Sequence, residues 1–408
     1  MNKTLLPIKT TLLFLIFAFH TLQSYAQWNP QTSGTTVTLK SVKFISSFIG
    51  WAVGENGTIL NTSNGGTTWT AQTSNTTQSL NGVDFISVNQ GWIVGHGGII
   101  KTTMNGGINW TDQTSPDIVT LRAVDFIDAT KGYAVGNDNN FQLAYILVTG
   151  NGGITWEKAS HSSADVLHAV HQFDNENGIA LGNFGGILKT SNGGSSWSVT
   201  TLGTTSSSIK AVSFIDANNG WLVGNDGIIY KTNNGAYFWT AQTSGVTTPL
   251  NGVYFVSSTK GWAVGNGGLI LTTNNGGTSW TIVTSNTTED LNAIVFTDAN
   301  NGWIVGANGT ILKYQGVAGL ADASEIGISI FPNPVTRNTP AKLELKIPAK
   351  LSIALLDQYG KELYTESEKN YPAGIIELPI QNMNIAPGLY FIKINKEGTE
   401  VINKIQIQ

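Results

Sequence analysis

The chain has 408 residues, of which only 12% are charged, with a formal net charge of −4, 47 Gly and no Cys. That balance excludes non-specific nucleic-acid binding, which needs a basic surface, and the missing Cys excludes disulfides, thiolate metal sites, cysteine nucleophiles and a lipid-modified cysteine anchor. Arg122 and Arg337 are the only arginines, so chemistry that needs several guanidinium groups is excluded too.

Residues 1–26 read as an export signal. Lys3 and Lys9 flank the start, residues 12–19 (LLFLIFAF) form the apolar run, and Ser24-Tyr25-Ala26 puts small residues at the cleavage positions. The mature chain is expected to begin at Gln27. The run is too short for ~30 Å of hydrocarbon, and no later segment suits a span, so the mature chain is expected to carry none.

From there a repeat dominates. Gly-Trp-Ala-Val-Gly at Gly50 recurs at Gly91, Gly220, Gly261 and Gly302, with degenerate copies at Gly132 and Gly178. Successive spacings are 41, 41, 46, 42, 41 and 41 residues, the longest carrying extra residues around 137–143. One period reads as four short strands: 80–85, 91–95, 99–102 and 109–111, separated by turns at 88–90, 96–98 and 105–107. Asn-Gly is a strong hairpin signal because both residues tolerate positive φ. Seven four-stranded units of this length predict an all-β fold, a seven-bladed β-propeller over residues 27–315.

A second motif, Asn-Gly-Gly-x-x-Trp, ends units at Trp69, Trp110, Trp156, Trp197 and Trp280, with a variant at Trp239. The seventh unit stops after Ile311-Leu312-Lys313-Tyr314, lacking a fourth strand. Gln27-Trp28-Asn29-Pro30-Gln31-Thr32-Ser33 matches the sequence from Trp69 to Ser74, so the N-terminal strand is expected to complete the last blade and close the ring. The Gly-Trp motif supplies five Trp and the fourth strands, Trp28 included, supply seven, which accounts for all 12, each worth ~150–250 Å² of burial, and leaves none for ligand stacking.

Thr62-Ser63-Asn64-Gly65-Gly66-Thr67-Thr68-Trp69 resembles the Asp-box, the bacterial neuraminidase repeat, with Asn in place of Asp. The whole period resembles the photosystem II stability/assembly factor family of seven-bladed propellers, over residues 27 to about 315. The resemblance implies a non-catalytic chaperone-like scaffold. The arginine-rich patch of the photosynthetic members has little counterpart where Arg122 is the propeller's sole Arg, and a photosynthetic role is not carried over.

Residues 316–325 read as a small-residue linker. From residue 326 to 408 the chain is richer in Lys, Glu, Ile and Leu, with strand-like runs at 341–347, 351–357, 362–365, 374–379 and 388–395, predicting a small C-terminal β-sandwich. Phe331-Pro332-Asn333-Pro334, then 356–361 (LDQYGK), then 386–391 (APGLYF) and a terminal Lys-Ile strand resemble the type A sorting domain of the type IX (Por) secretion system of Bacteroidota. That resemblance implies the type IX machinery as partner of residues 326–408, periplasmic transit, and a product that is secreted or held on the outer-membrane cell surface.

No enzyme is expected. Sialidase chemistry needs an arginine triad that the propeller lacks. Asp84, Asp125, Asp128, Asp216 and Asp298 are carboxylate candidates for a glycan-active hydrolase, but most of them recur near first-strand ends, Asp128, Asp216 and Asp298 each just before a turn, which favours turn capping. His161, His168 and His171 lie close in sequence; 168 and 171, three apart on a strand, are expected to face opposite sides. No metal and no cofactor are expected. The best surface comes from aligning the first strands, whose second position reads Lys40, Asn81, Arg122, His168, Lys210, Asn251 and Asn292. These should ring one mouth of the central channel, with Glu55, His96, Asp138 and Asp226 on the same face. The expected function is binding of an unidentified surface protein or glycan; the rival readings are the hydrolase and a purely structural adhesion component.

Overall fold

Each repeat opens with an apolar residue, a polar one and a small one, as in Leu39-Lys40-Ser41. A computed structural model describes residues 27–315, apart from 141–142, 163–164 and 204–206, and residues 328–407, apart from 332–334, 337–340, 346–347, 358–360, 379–382, 384 and 397–398. The predicted export signal and linker lie outside the described residues, as do 332–334 and 358–360 of the tail motifs. Blade 1 lays down Leu39–Phe44, Gly50–Gly54, Ile59–Thr62 and Thr70–Gln72, each antiparallel to the one before. First strands follow at Leu80–Phe85, Val119–Phe126, Leu167–Gln172, Ile209–Phe214, Leu250–Phe255 and Leu291–Phe296. They pack against one another around the ring, so they line its axis. Predicted and observed strands differ by a residue or two: in blade 2 the third is Ile100–Thr103 and the fourth Thr111–Gln113.

Closure is as the sequence predicts. Gln27–Gln31 pairs antiparallel with Ile311–Gln315 and supplies the fourth strand of blade 7. Blade 7 then meets blade 1, where Asn292 Nδ2 donates to the Leu39 carbonyl at 2.8 Å and Trp303 Nε1 to the Gly65 carbonyl at 3.1 Å.

The repeated motif records what each seam between blades requires. Trp51, Trp92, Trp221 and Trp303 lie flat on Phe85, Phe126, Phe255 and Phe44 of the next blade, with ring centroids 3.5, 3.5, 3.6 and 3.6 Å apart. Their indole N–H groups reach backbone carbonyls of the next Asp-box turn, at Gly106, Gly152, Gly276 and Gly65. The first Gly of the motif leaves room for the blade's own Phe: a Cβ on Gly50 would sit 2.5 Å from the Phe44 ring. The second lies beneath the carbonyl just before the first strand, and a Cβ on Gly224 would meet Ser208 O at 2.0 Å. In the Asp-box turn, Thr62 Oγ1 accepts from Gly66 N at 2.9 Å and Asn64 Oδ1 from Thr68 N at 2.9 Å. Asn serves there as well as Asp because its Nδ2 also donates to Thr68 Oγ1.

Blades 3 and 4 depart from the repeat. Tyr133 and Ile179 replace Trp, and Gln172 replaces Phe. Lys131 and Lys189 then supply the donors to Gly193 and Gly235. Blade 3's outer strand, Glu157–Lys158, is followed by Ser160–His161, which pairs parallel with Ser196 and Trp197 as a fifth strand of blade 4.

In the tail, Ile328–Phe331, Lys342–Leu345 and Gly374–Glu377 form one sheet. Ala349–Asp357, Glu362–Tyr371, Gly388–Lys396 and Thr399–Ile407 form another. One core joins them, from Ile328, Leu343 and Leu345 to Leu351, Ile353, Ile392 and Ile394: the predicted sandwich.

Candidate ligand-binding channel

Each first strand except the longer one of blade 3 begins at its apolar residue, and all seven positions at the second place are half-buried. In every blade a bulge falls between that apolar residue and the small residue two places on, as between Leu39 and Ser41 or Leu121 and Ala123. The second residue is the extra one, which turns its side chain out of the ladder.

The seven are not equivalent. Asn81, Asn251 and Asn292 donate to the carbonyls of Leu121, Leu291 and Leu39, the residue at the start of the next blade's ring, at 2.8, 3.0 and 2.8 Å. These asparagines tie blade to blade. Lys40 is matched by Glu55 at 3.3 Å and reaches Asn81 Oδ1. The remaining three, from blades 3, 4 and 5, form a group. Arg122 Nε donates to Asn137 Oδ1 at 3.1 Å, so the extra residues of blade 3 hold the propeller's one arginine. His168 Nε2 lies 2.8 Å from Asn183 Oδ1, which also accepts from Ser208 Oγ. Among the described residues neither Arg122 nor Lys210 meets a carboxylate. Burial lowers the pKa of both, and Arg122 adds to the effect on Lys210. Burial first, then Lys210 and Arg122, bring His168 down to about 4. Of the same-face residues, Glu55 is paired as above and Asp226 accepts from Ser207 Oγ at 2.6 Å.

The fifth position of the same strands holds Lys43, Asp84, Asp125, His171, Ser213, Tyr254 and Val295, a second ring further down the channel. Lys43 Nζ lies 2.7 Å from Asp84 Oδ1, and Asp84 Oδ2 accepts from Phe126 N at 2.8 Å. Asp125 Oδ2 accepts from Gln172 N at 2.6 Å and lies 3.7 Å from His171 Nδ1. His171 stacks on Phe214. Asp84 keeps the Lys43 ammonium above its usual range. Burial, then the Asp84 charge, pushes the Asp125 carboxyl up to about 7. Burial, then Lys43, brings His171 down to about 4.

Of two sequence expectations, one holds here and one changes. Asp128, Asp216 and Asp298 do cap turns, each accepting two backbone N–H groups at 2.7–2.9 Å. Asp84 and Asp125 sit instead at the fifth position of neighbouring first strands, where each accepts the backbone N–H of the next blade's sixth residue. His168 and His171 do not point to opposite sides. The bulge between Leu167 and Ala169 shifts the alternation, so one joins the upper ring and the other the lower. Among the described residues no group of three His, Asp or Glu converges as a metal would require, and no helix is long and apolar enough to cross a membrane.

Asp125 carries a pH signature with a definite sign. Its folded pKa is raised, so the folded state holds a proton that the unfolded state releases, and this favours folding less as pH rises from about 4 to about 7. His168 and His171 act oppositely: their pKa values are depressed, so their contribution is present above ~6.5 and lost as pH falls toward about 4. Asp125→Asn keeps an acceptor for Gln172 N and removes only the first effect. The variant is expected to match the parent at pH about 4 and to exceed it by roughly 1–3 kcal/mol at pH about 8. Urea unfolding at the two pH values measures this; an equal difference at both would refute it.

A closed ring of seven antiparallel blades around a polar channel defines a β-propeller. Residues 20–116, 113–253, 197–288 and 249–315 match the family of photosynthesis system II assembly factor YCF48. The chain belongs to that family. Residues 329–408 match the secretion system C-terminal sorting domain, which marks the chain for type IX export to the cell surface or the medium. Among solved structures it is similar to YCF48 bound to D1 peptide, at 22% identity and a TM-score of 0.61, covering 71% of this chain and 97% of that one. YCF48 from Cyanidioschyzon merolae is similar at 23% identity and 0.61, covering 71% and 99%. The WD40 propeller domain of Doa1 shares the fold at 12% identity and 0.57, covering 71% and 97%. No curated protein matches the chain.

Proposed function

We propose that this chain is an exported, non-catalytic recognition module that holds an anionic group of a protein partner, a carboxylate foremost, at the channel mouth. The observation that carries the reading is the trio of Arg122, His168 and Lys210, in which two cations face the channel and meet no carboxylate among the described residues. An incoming anion relieves their mutual repulsion in a site partly shielded from water, where a charge-assisted hydrogen bond is strongest. The relative solved with a D1 peptide supports a peptide as the kind of ligand, while the differing blades 3 to 5 leave its sequence specific to this chain.

The test is an array of acidic peptides and uronic-acid glycans probed with the full chain, the double variant R122E/K210E, and K40Q. The double variant is expected to lose at least about tenfold in affinity, equivalent to ~1.4 kcal/mol. K40Q is expected to change little, because Glu55 already offsets Lys40. Retained peptide binding by the double variant would refute the site. Binding confined to glycans would replace the protein partner with a uronic-acid polymer, and released sugar would restore the hydrolase reading.

A further inference from the structure

The lower ring is left unused by that reading, yet it holds the most unusual constellation in the molecule. Lys43, Asp84, Asp125, His171 and Tyr254 come from five different blades, and their charges act on one another. Asp84 is spent: one oxygen is on Lys43 and the other on Phe126 N. Asp125 is not. Its Oδ1 accepts no hydrogen bond among the described residues, its side chain is 24% exposed, and Asp84 beside it leaves the ring with one carboxyl more than its single lysine can neutralise. Tyr254, half-buried in the same layer, makes no hydrogen bond through its hydroxyl among the described residues. Arg122 and Asp125 lie three residues apart on one strand, but Arg122 is the extra residue of the bulge, so the rise between them is roughly 8 Å. The channel therefore has a cationic mouth and, one strand-length of a few residues below it, a carboxyl awaiting a cation.

We infer that the channel takes a bipolar ligand, a peptide group whose carboxylate rests on Arg122 and Lys210 and whose lysine-type ammonium descends to Asp125 and Tyr254. The inference rests on the carboxylate reading above and adds the second pole. An ammonium supplies what the lower ring lacks: a donor for Asp125 Oδ1 and a positive charge against the Asp84–Asp125 pair. An extended lysine, from carboxylate to ammonium, spans most of the separation between the two rings. Cation entry favours the ionised carboxylate, so binding near neutral pH releases a proton from Asp125.

Three small probes separate the poles. Nα-acetyl-lysine has both, Nα-acetyl-norleucine lacks the ammonium, and Nα-acetyl-lysinamide lacks the carboxylate. Chemical-shift titration of the full chain near neutral pH is expected to show acetyl-lysine binding about tenfold or more tightly than acetyl-norleucine. That gap is expected to close in Asp125→Asn, whose folding the unfolding experiment above verifies independently. Calorimetry in two buffers of different ionisation enthalpy is expected to show proton release with acetyl-lysine and none with acetyl-norleucine. Equal binding of acetyl-lysine and acetyl-norleucine would overturn the ammonium subsite and leave the mouth reading intact. Equal binding of acetyl-lysine and acetyl-lysinamide, with the Asp125 dependence kept, would overturn the mouth reading and leave the subsite standing. No binding of any probe at tens of millimolar would overturn both.

Discussion

Trp303→Ala is expected to destabilise the propeller by about 4 kcal/mol, among the largest effects of any single side chain. The indole is fully buried, lies flat on Phe44 at 3.6 Å, and donates to the Gly65 carbonyl. Truncation removes the transfer energy of a large aromatic, leaves a cavity between blades 7 and 1, and orphans a carbonyl in a buried turn. The seam joins residues far apart in sequence, so no local structure compensates. Trp303→Phe keeps part of the stacking and loses the hydrogen bond, and is expected to cost about 2 kcal/mol. Denaturant unfolding of both variants checks the ordering. A cost under about 1 kcal/mol for the Ala variant would mean the seam does not hold the ring.

Gly224→Ala is expected to cost about 3 kcal/mol although it adds a single methyl. The new Cβ would meet the Ser208 carbonyl oxygen at 2.0 Å, an atom of the backbone that cannot step aside without moving the bulged first strand. Gly245→Ala is the control. Gly245 has φ +77 with nothing within 4 Å, so only left-handed backbone strain of about 1 kcal/mol is expected. Equal destabilisation by the two would show that close approach is not why the motif ends in Gly. The same clash recurs under Gly54, Gly95, Gly136, Gly182, Gly265 and Gly306, and this is why the glycine persists in blades 3 and 4 where the Trp does not.

The architecture was legible because it is written seven times. Trp28 matches Trp69, and the pairing of Gln27–Gln31 with Ile311–Gln315 follows from a missing fourth strand. Alignment of first strands likewise exposed the upper ring, since Lys40 through Lys210 share one column. It did not show that three asparagines in that column are spent on tying blades together, because a side-chain-to-carbonyl bond across a seam leaves no mark in a single repeat. The lower ring was missed for the opposite reason. Lys43, Asp84, Asp125, His171 and Tyr254 share a column but not a chemistry, and repetition, the strongest signal in the chain, draws attention away from positions where the blades disagree. The histidines failed on a geometric point: two-residue alternation does not survive a bulge, and a bulge opens every first strand.

The strand pair that closes the ring also sets how the molecule answers tension. Gln27 stands opposite Gln315, so the entering end of one strand and the leaving end of the other lie side by side. A force pulling these two ends apart breaks the ladder rung by rung, as a zip opens, instead of loading every rung together. A pull applied beyond Gln315 against drag at Gln27 would therefore peel blade 7 first. Force entering through any interior blade meets strands whose ends are anchored in neighbouring sheets. The junction that makes the circle complete is also its mechanical fuse.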